Sequence, residues 1–363
     1  MDIDKLLHFT VEQGASDLHL QPGARPMLRL ASELRMVDSP PLSGEETAEI
    51  LRAIAPKNVL DSLEAAVTTG LDFSYVLEGL ARFRCSAFRT LGHIAIVIRV
   101  IPFAIPTVEE LNLPHVVKDI ALAERGLTLL TGTTGSGKST TLASMIDLIN
   151  ASLRNKIITV EDPIEYVYVN RNSLIAQLEV GGDTPSFPQA MRQALRQDPD
   201  VILVGELRDA ETLRMALQAA DTGHQVLSTV HSATASQTIE RIIAMFPPNE
   251  HKLLLDQLAG SIEAIISQRL VATRDGKLRP AVEILRGSAV SQKLILENRL
   301  AELHDFIATG DAGMQTFDQH LAKLYKEDLI SGTEALRQAT NPGQLSLALR
   351  GITTIGPGRA TTA

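Results

Sequence analysis

The feature that most constrains this chain is an eight-residue run, Gly132-Thr133-Thr134-Gly135-Ser136-Gly137-Lys138-Ser139, which fits G-x-x-x-x-G-K-[ST] at every fixed position. The flanks fit too. A largely apolar stretch at 127–130 leads in, and a helix-compatible stretch at 140–149 leads out. Glycines at these positions let backbone N–H groups close around an anion, and the helix N-terminus adds a favourable field. Lys138 is expected to reach the β- and γ-phosphates of ATP, and Ser139 to hold Mg²⁺, with Thr140 completing the binding set.

Two further apolar stretches deliver carboxylates. Residues 201–204 run into Gly205-Glu206, and residues 157–160 run into Glu161-Asp162-Pro163. Short continuous apolar runs suit strands buried on both faces of a parallel sheet. A carboxylate at the C-terminal end of such a strand lies at the ligand edge. Gly205 occupies the place of the usual Asp, so Glu206 must serve the metal or the water. We favour Glu161 for orienting the attacking water and Glu206 for the metal. His224 and His231 flank residues 225–230. Their odd separation argues against a shared metal and puts them at the two ends of a strand, where one could sense a phosphate.

Upstream, Ile3, Leu6, Leu7 and Val11 recur at helical spacing. Ser43 and Glu46 form a capping box. Residues 71–77, 81–87 and 94–100 alternate as half-buried strands. Alternation puts Arg82 and Arg84 on one strand face, opposite Phe83 and Cys85. That face is either solvated or a phosphate clamp supplied to another domain or subunit. Pro102 and Pro106 punctuate the chain. The expected organisation is a small α+β domain at 1–100, a linker at 101–110, an α/β core at 111–285, a helical region at 286–350 and a disordered tail at 351–363.

The net charge of −9 disfavours nucleic acid as a partner. The single cysteine, Cys85, excludes an intramolecular disulfide and any multi-cysteine zinc module, and it reads as a buried, inert thiol. No stretch reaches the length of a membrane span, and the acidic start does not read as a signal peptide. The chain is expected in the cytoplasm, without direct membrane insertion, and at the inner membrane only through a partner.

Taken together, these elements resemble the type II/IV secretion ATPases. The phosphate loop is followed in order by Thr159-Val160-Glu161-Asp162-Pro163-Ile164-Glu165, by Ile202-Leu203-Val204-Gly205-Glu206-Leu207-Arg208-Asp209, and by Thr222-Gly223-His224 through Thr229-Val230-His231. Gly205 is usual in that family. Ala15-Ser16-Asp17-Leu18-His19-Leu20, Ala81-Arg82-Phe83-Arg84 and Gly313-Met314-Gln315-Thr316-Phe317-Asp318 look like the pilus-retraction (twitching motility) branch. The resemblance implies a PAS-like N-terminal domain, a RecA-like P-loop core and a homo-hexameric ring. That ring would act on the inner-membrane pilus platform protein, alone or with a paralogous retraction ATPase. It also implies that Arg82, Arg84 and Arg99 face phosphates from the neighbouring domain or subunit. Departures include Leu178 for a common Arg and Ala289-Val290-Ser291-Gln292-Lys293-Leu294-Ile295-Leu296 in place of the branch's usual helix motif. Two alternatives therefore stay open: an accessory retraction subunit, and an assembly or secretion ATPase.

Overall fold

Alternating apolar residues build the first of two units. The computed structural model describes residues 2–30, 33–57, 60, 63–101 and 104–352. Unit 1 comprises Met1–Ala104 with Glu165–Val167, and unit 2 comprises Ile105–Ile164 with Tyr168–Ala363.

Unit 1 contains α1 (Ile3–Glu12), β1 (Asp17–Leu20), β2 (Met27–Leu30), β3 (Glu33–Met36), α2 (Gly44–Ile54), α3 (Leu63–Thr69), β4 (Leu71–Leu77), β5 (Ala81–Thr90) and β6 (His93–Ile101). The strands form one antiparallel sheet in the order β3-β2-β1-β6-β5-β4. One face and the helices share a core of Leu7, Leu18, Leu51, Phe83, Cys85, Ile96 and Ile98. Burying each large side chain contributes about 1.5–3 kcal/mol. The capping box at α2 is closed: Glu46 N–H donates to Ser43 Oγ at 3.1 Å, and Ser43 N–H donates to Glu46 Oε2 at 2.8 Å. Burial pushes the Cys85 thiol up to about 12, so it stays protonated and unreactive.

Unit 2 contains α4 (Val116–Ala121), β7 (Gly126–Thr131), α5 (Lys138–Ser152), β8 (Lys156–Glu161), β9 (Leu174–Glu179), α6 (Phe187–Ala194), β10 (Val201–Val204), α7 (Ala210–Asp221), β11 (Gln225–Val230), α8 (Ala235–Ala244) and α9 (His251–Ser261). It continues with β12 (Ile262–Ala272), β13 (Leu278–Arg286), α10 (Ala289–Leu296), α11 (Leu303–Ile307), α12 (Phe317–Lys326), α13 (Gly332–Gln338) and α14 (Pro342–Leu349). Its sheet runs β13-β12-β7-β11-β10-β8-β9. All neighbours are parallel except the β12–β13 pair. Aliphatic clusters cover both faces, which is why β7, β8, β10 and β11 are buried almost throughout.

Residues 105–110 and the C-terminal helices both belong to unit 2. The linker expected at 101–110 is not a free connection. Ile101 ends β6, Pro102 lies outside the described residues, and Val108 is buried with Leu113 and Val117 in the core of unit 2. The helical region expected at 286–350 is present and packs onto the sheet: Leu321, Leu324 and Leu345 share a core with Val271 and Ala281 of the β12–β13 pair. Of the tail expected at 351–363, residues 353–363 lie outside the described residues. Among the described residues no helix is long and apolar enough to cross a membrane.

Candidate phosphate-binding site

β7 ends at Thr131, where Gly132 turns the chain at φ +148°. A Cβ there would stand 2.4 Å from the Gln268 carbonyl oxygen and 2.5 Å from Ser136 Oγ, so only glycine fits. Residues 133–135 are exposed, Ser136 is buried, and Gly137 (φ +86°) opens α5. Lys138 is buried, and its ammonium donates to the carbonyls of Gly132 and Thr133 at 2.9 and 3.0 Å. Ser139 and Thr140 occupy the first turn of α5, half-buried. Among the described residues Ser136 Oγ is buried without a hydrogen-bond partner. An orphaned hydroxyl, a buried ammonium folded onto its own loop and a helix N-terminus form a donor set that fits a phosphate chain.

The carboxylates stand at the ends of neighbouring strands. Val160 of β8 is in register with Val204 of β10, so Glu161 and Gly205-Glu206 leave the sheet side by side. Gly205 N–H donates to the Val160 carbonyl at 2.8 Å. A Cβ on Gly205 would lie 3.3 Å from that oxygen and 3.4 Å from Glu161 Cα. The glycine therefore lets the two strand ends close together. Glu161 is buried, and its Oε1 accepts from the Thr159 hydroxyl at 2.7 Å and from the Gln177 amide at 3.3 Å. Glu206 is held by Arg208 Nε at 2.8 Å and lies 3.3 Å from His231 Nε2. The Thr229 hydroxyl donates to the Gly205 carbonyl at 2.7 Å, fixing the turn that carries Glu206. With strands ~4.8 Å apart, β10 stands about 10 Å from β7 and β8 about 14 Å.

The histidines separate. His231 follows β11 at the loop edge. His224 precedes β11, and its carbonyl accepts from Gly126, the first residue of β7. That is the edge opposite the phosphate loop, about 20 Å away along a six-residue strand. There Nδ1 of His224 lies 2.9 Å from the Ala219 carbonyl, closing the C-terminus of α7. The structure puts His224 at the far edge as a helix-end contact and His231 at the loop edge, because parallel strands send their first and last residues to opposite edges.

The arginines share the face of the unit 1 sheet opposite its core. Arg84 is in register with Arg99, and Arg99 with Asp17. Asp17 is the acidic partner that local sequence did not reveal: Arg99 Nε donates to its Oδ1 at 2.8 Å, and the Ser16 hydroxyl to its Oδ2 at 2.8 Å. Burial alone would raise the Asp17 carboxyl, but these two hydrogen bonds hold it below the usual range. Within unit 1, and among the described residues, no carboxylate pairs with Arg84. Like charges opposite each other on a sheet repel, so the Arg84–Arg99 row has one anion for two cations. Arg82 lies two residues along on the same face.

Three polar residues missing from the sequence reading also belong to the phosphate-loop unit. Gln177 binds Glu161 from β9, and Gln268 binds the loop from β12. Glu283 on β13 accepts the Ala235 N–H at 2.9 Å, anchoring the segment after His231. Burial raises the Glu283 carboxyl despite that bond. A buried polar residue inside an apolar strand, such as Gln268 after Ile265 and Ile266, was the available signal.

Fold and site together define a P-loop nucleotide-binding protein of the α/β class. Residues 1–333 match the family model described as Type II/IV secretion system protein, and the chain belongs to that family. It is 42% identical over 343 residues to the type IV pilus retraction ATPase PilT of Pseudomonas aeruginosa, covering 94% of this chain and 99% of that one. It is 40% identical over 352 residues to the type IV pilus ATPase PilU of the same organism, covering 96% and 92%. The solved structure of the pilus retraction motor PilT with bound ADP superposes with a TM-score of 0.89 at 41% identity, covering 95% of this chain and 99% of that one.

Proposed function

We propose that this chain is an ATP-hydrolysing motor that powers type IV pilus retraction. It works as a homo-hexamer in the cytoplasm, held at the inner membrane by the pilus platform protein. The observation that carries this reading is the carboxyl edge of the unit 2 sheet. Phosphate loop, paired carboxylates and His231 sit there on successive strands, in a chain 42% identical to a retraction ATPase along almost its whole length.

In this reading Lys138 and the N–H groups of residues 133–139 bind the phosphates. Ser139 and Glu206 would hold Mg²⁺, which when bound neutralises charge on the phosphate oxygens. The β10 position, one strand nearer the loop than β8, favours Glu206 for the metal. Glu161, buried and oriented by Thr159 and Gln177, orients the attacking water and takes its proton. His231 fixes Glu206. Arg82, Arg84 and Arg99 serve the phosphates of another domain or subunit, so that each turnover changes one domain's grip on another.

The test has two parts. Purified Lys138→Ala protein should lose ATP hydrolysis, and a deletion strain should carry abundant pili that do not retract. A bald deletion strain would point to an assembly ATPase and overturn the reading. A second reading, an accessory retraction subunit, is favoured by the departure at α10. It predicts that Lys138→Ala restores retraction in the deletion strain.

A further inference from the structure

We propose that Gln268 is a positioning residue of the phosphate loop, which it holds in its anion-binding shape from the neighbouring strand. The proposal rests on the loop binding nucleotide. Gln268 follows Ser267, which is in register with Thr131, the last residue of β7. The side chain is buried and makes two hydrogen bonds. Its Nε2 donates to the Ser136 carbonyl at 2.7 Å, and its Oε1 accepts from the Thr141 hydroxyl at 2.9 Å. Its backbone carbonyl abuts Gly132, and its amide lies 2.9 Å from where a Cβ on Gly137 would stand. One residue therefore touches the start of the loop, its last turn and the first turn of α5.

The consequence follows from peptide geometry. In a trans peptide the carbonyl and the following N–H point in opposite directions. Tying the Ser136 carbonyl to β12 turns the Gly137 N–H to the side away from β12. Without that tie the Ser136–Gly137 peptide is free to rotate, because glycine on its far side imposes little restraint. The strand itself is anchored. The adjacent Arg269 points to the opposite face, donates to the Gln338 carbonyl at 2.6 Å and lies 3.9 Å over the Phe317 ring. Gln268 is thus a rigid support for the phosphate-binding groups rather than one of them.

The test is titration of fluorescent ADP into the full-length protein, with thermal unfolding of the nucleotide-free protein in parallel. Gln268→Met keeps the length and removes both hydrogen bonds. It should weaken ADP binding about tenfold, the net effect of losing the two contacts together. Thr141→Val is isosteric and frees only Oε1, so it should weaken ADP about threefold. Combined with Gln268→Met it should add nothing, because Thr141 acts through the amide. A merely structural Gln268 would lower the unfolding temperature and leave ADP affinity unchanged, and that result overturns the proposal. If Gln268→Met does not fold, unchanged affinity in Thr141→Val overturns it equally. Wild-type protein that binds no ADP would instead defeat the nucleotide reading itself.

Discussion

Glu161→Gln separates chemistry from architecture at this site. The carboxylate is buried, and both of its named neighbours donate to one oxygen: the Thr159 hydroxyl at 2.7 Å and the Gln177 amide at 3.3 Å. A glutamine can present its own Oε1 to both donors. Shape and hydrogen bonding persist, and only the charge and the ability to take a proton are lost. Unfolding stability should therefore change by no more than about 1 kcal/mol, and ADP affinity should change little. Turnover should fall ~100-fold or more, a rise of about 2.7 kcal/mol in the barrier. Steady-state phosphate release and ADP titration on one preparation measure both quantities. Turnover close to wild type, with binding intact, would refute the assignment of Glu161 as the base.

Three further outcomes follow from local geometry. Gly205→Val must push the ends of β8 and β10 apart, since even a Cβ stands 3.3 Å from the Val160 carbonyl. It should cost about 1–3 kcal/mol in thermal unfolding and disable hydrolysis, whereas Gly205→Ala should be milder. His320 is buried in α12, its Nδ1 accepting the Val282 N–H at 2.9 Å, and burial pushes its imidazole down to about 4. Its neutral form favours the fold, so stability is fully present above the ordinary value of 6.5 and falls between there and about 4. The loss is of order 3 kcal/mol, and unfolding scans against pH should show a shallower acid slope in His320→Gln. Asp17→Asn removes the charge that pairs with Arg99. It should lower turnover while leaving ADP affinity unchanged, provided Asp17 orients Arg99 for phosphate.

The phosphate loop was legible because its chemistry is local: eight consecutive residues between an apolar strand and a helix. The strand-end placement of Glu161 and Glu206 was legible because apolar runs of this length announce buried parallel strands. Period-two alternation put Arg82 and Arg84 on one face. What escaped depends on distant partners. Asp17 reaches Arg99 across 82 residues of sequence, and Gln268 reaches Ser136 across 132. No local pattern encodes such pairs. The opposite-end placement of His224 and His231 was legible from their spacing, and strand direction decides which end meets the loop: the residue before β11 lies with the start of β7, and His231 with the loop after it. The linker was read from Pro102 and Pro106, whereas the burial of Val108 depends on packing with Leu113 and Val117, which no local pattern announces.

In the proposed ring, Arg82 and Arg84 of one subunit would complete the phosphate site of another. Arginine fingers contribute ~10³-fold or more to turnover. The doubly substituted Arg82→Ala/Arg84→Ala protein should bind ATP and be nearly inactive, as should Lys138→Ala for want of phosphate binding. Mixed in one ring, the first supplies intact phosphate loops and the second intact arginines. Steady-state ATP hydrolysis of the mixture, compared with each protein alone, reads out whether the arginines act in trans. Activity well above either parent is expected. A mixture as inactive as its parents, despite proven co-assembly, or a fully active Arg82/Arg84 variant, would contradict it.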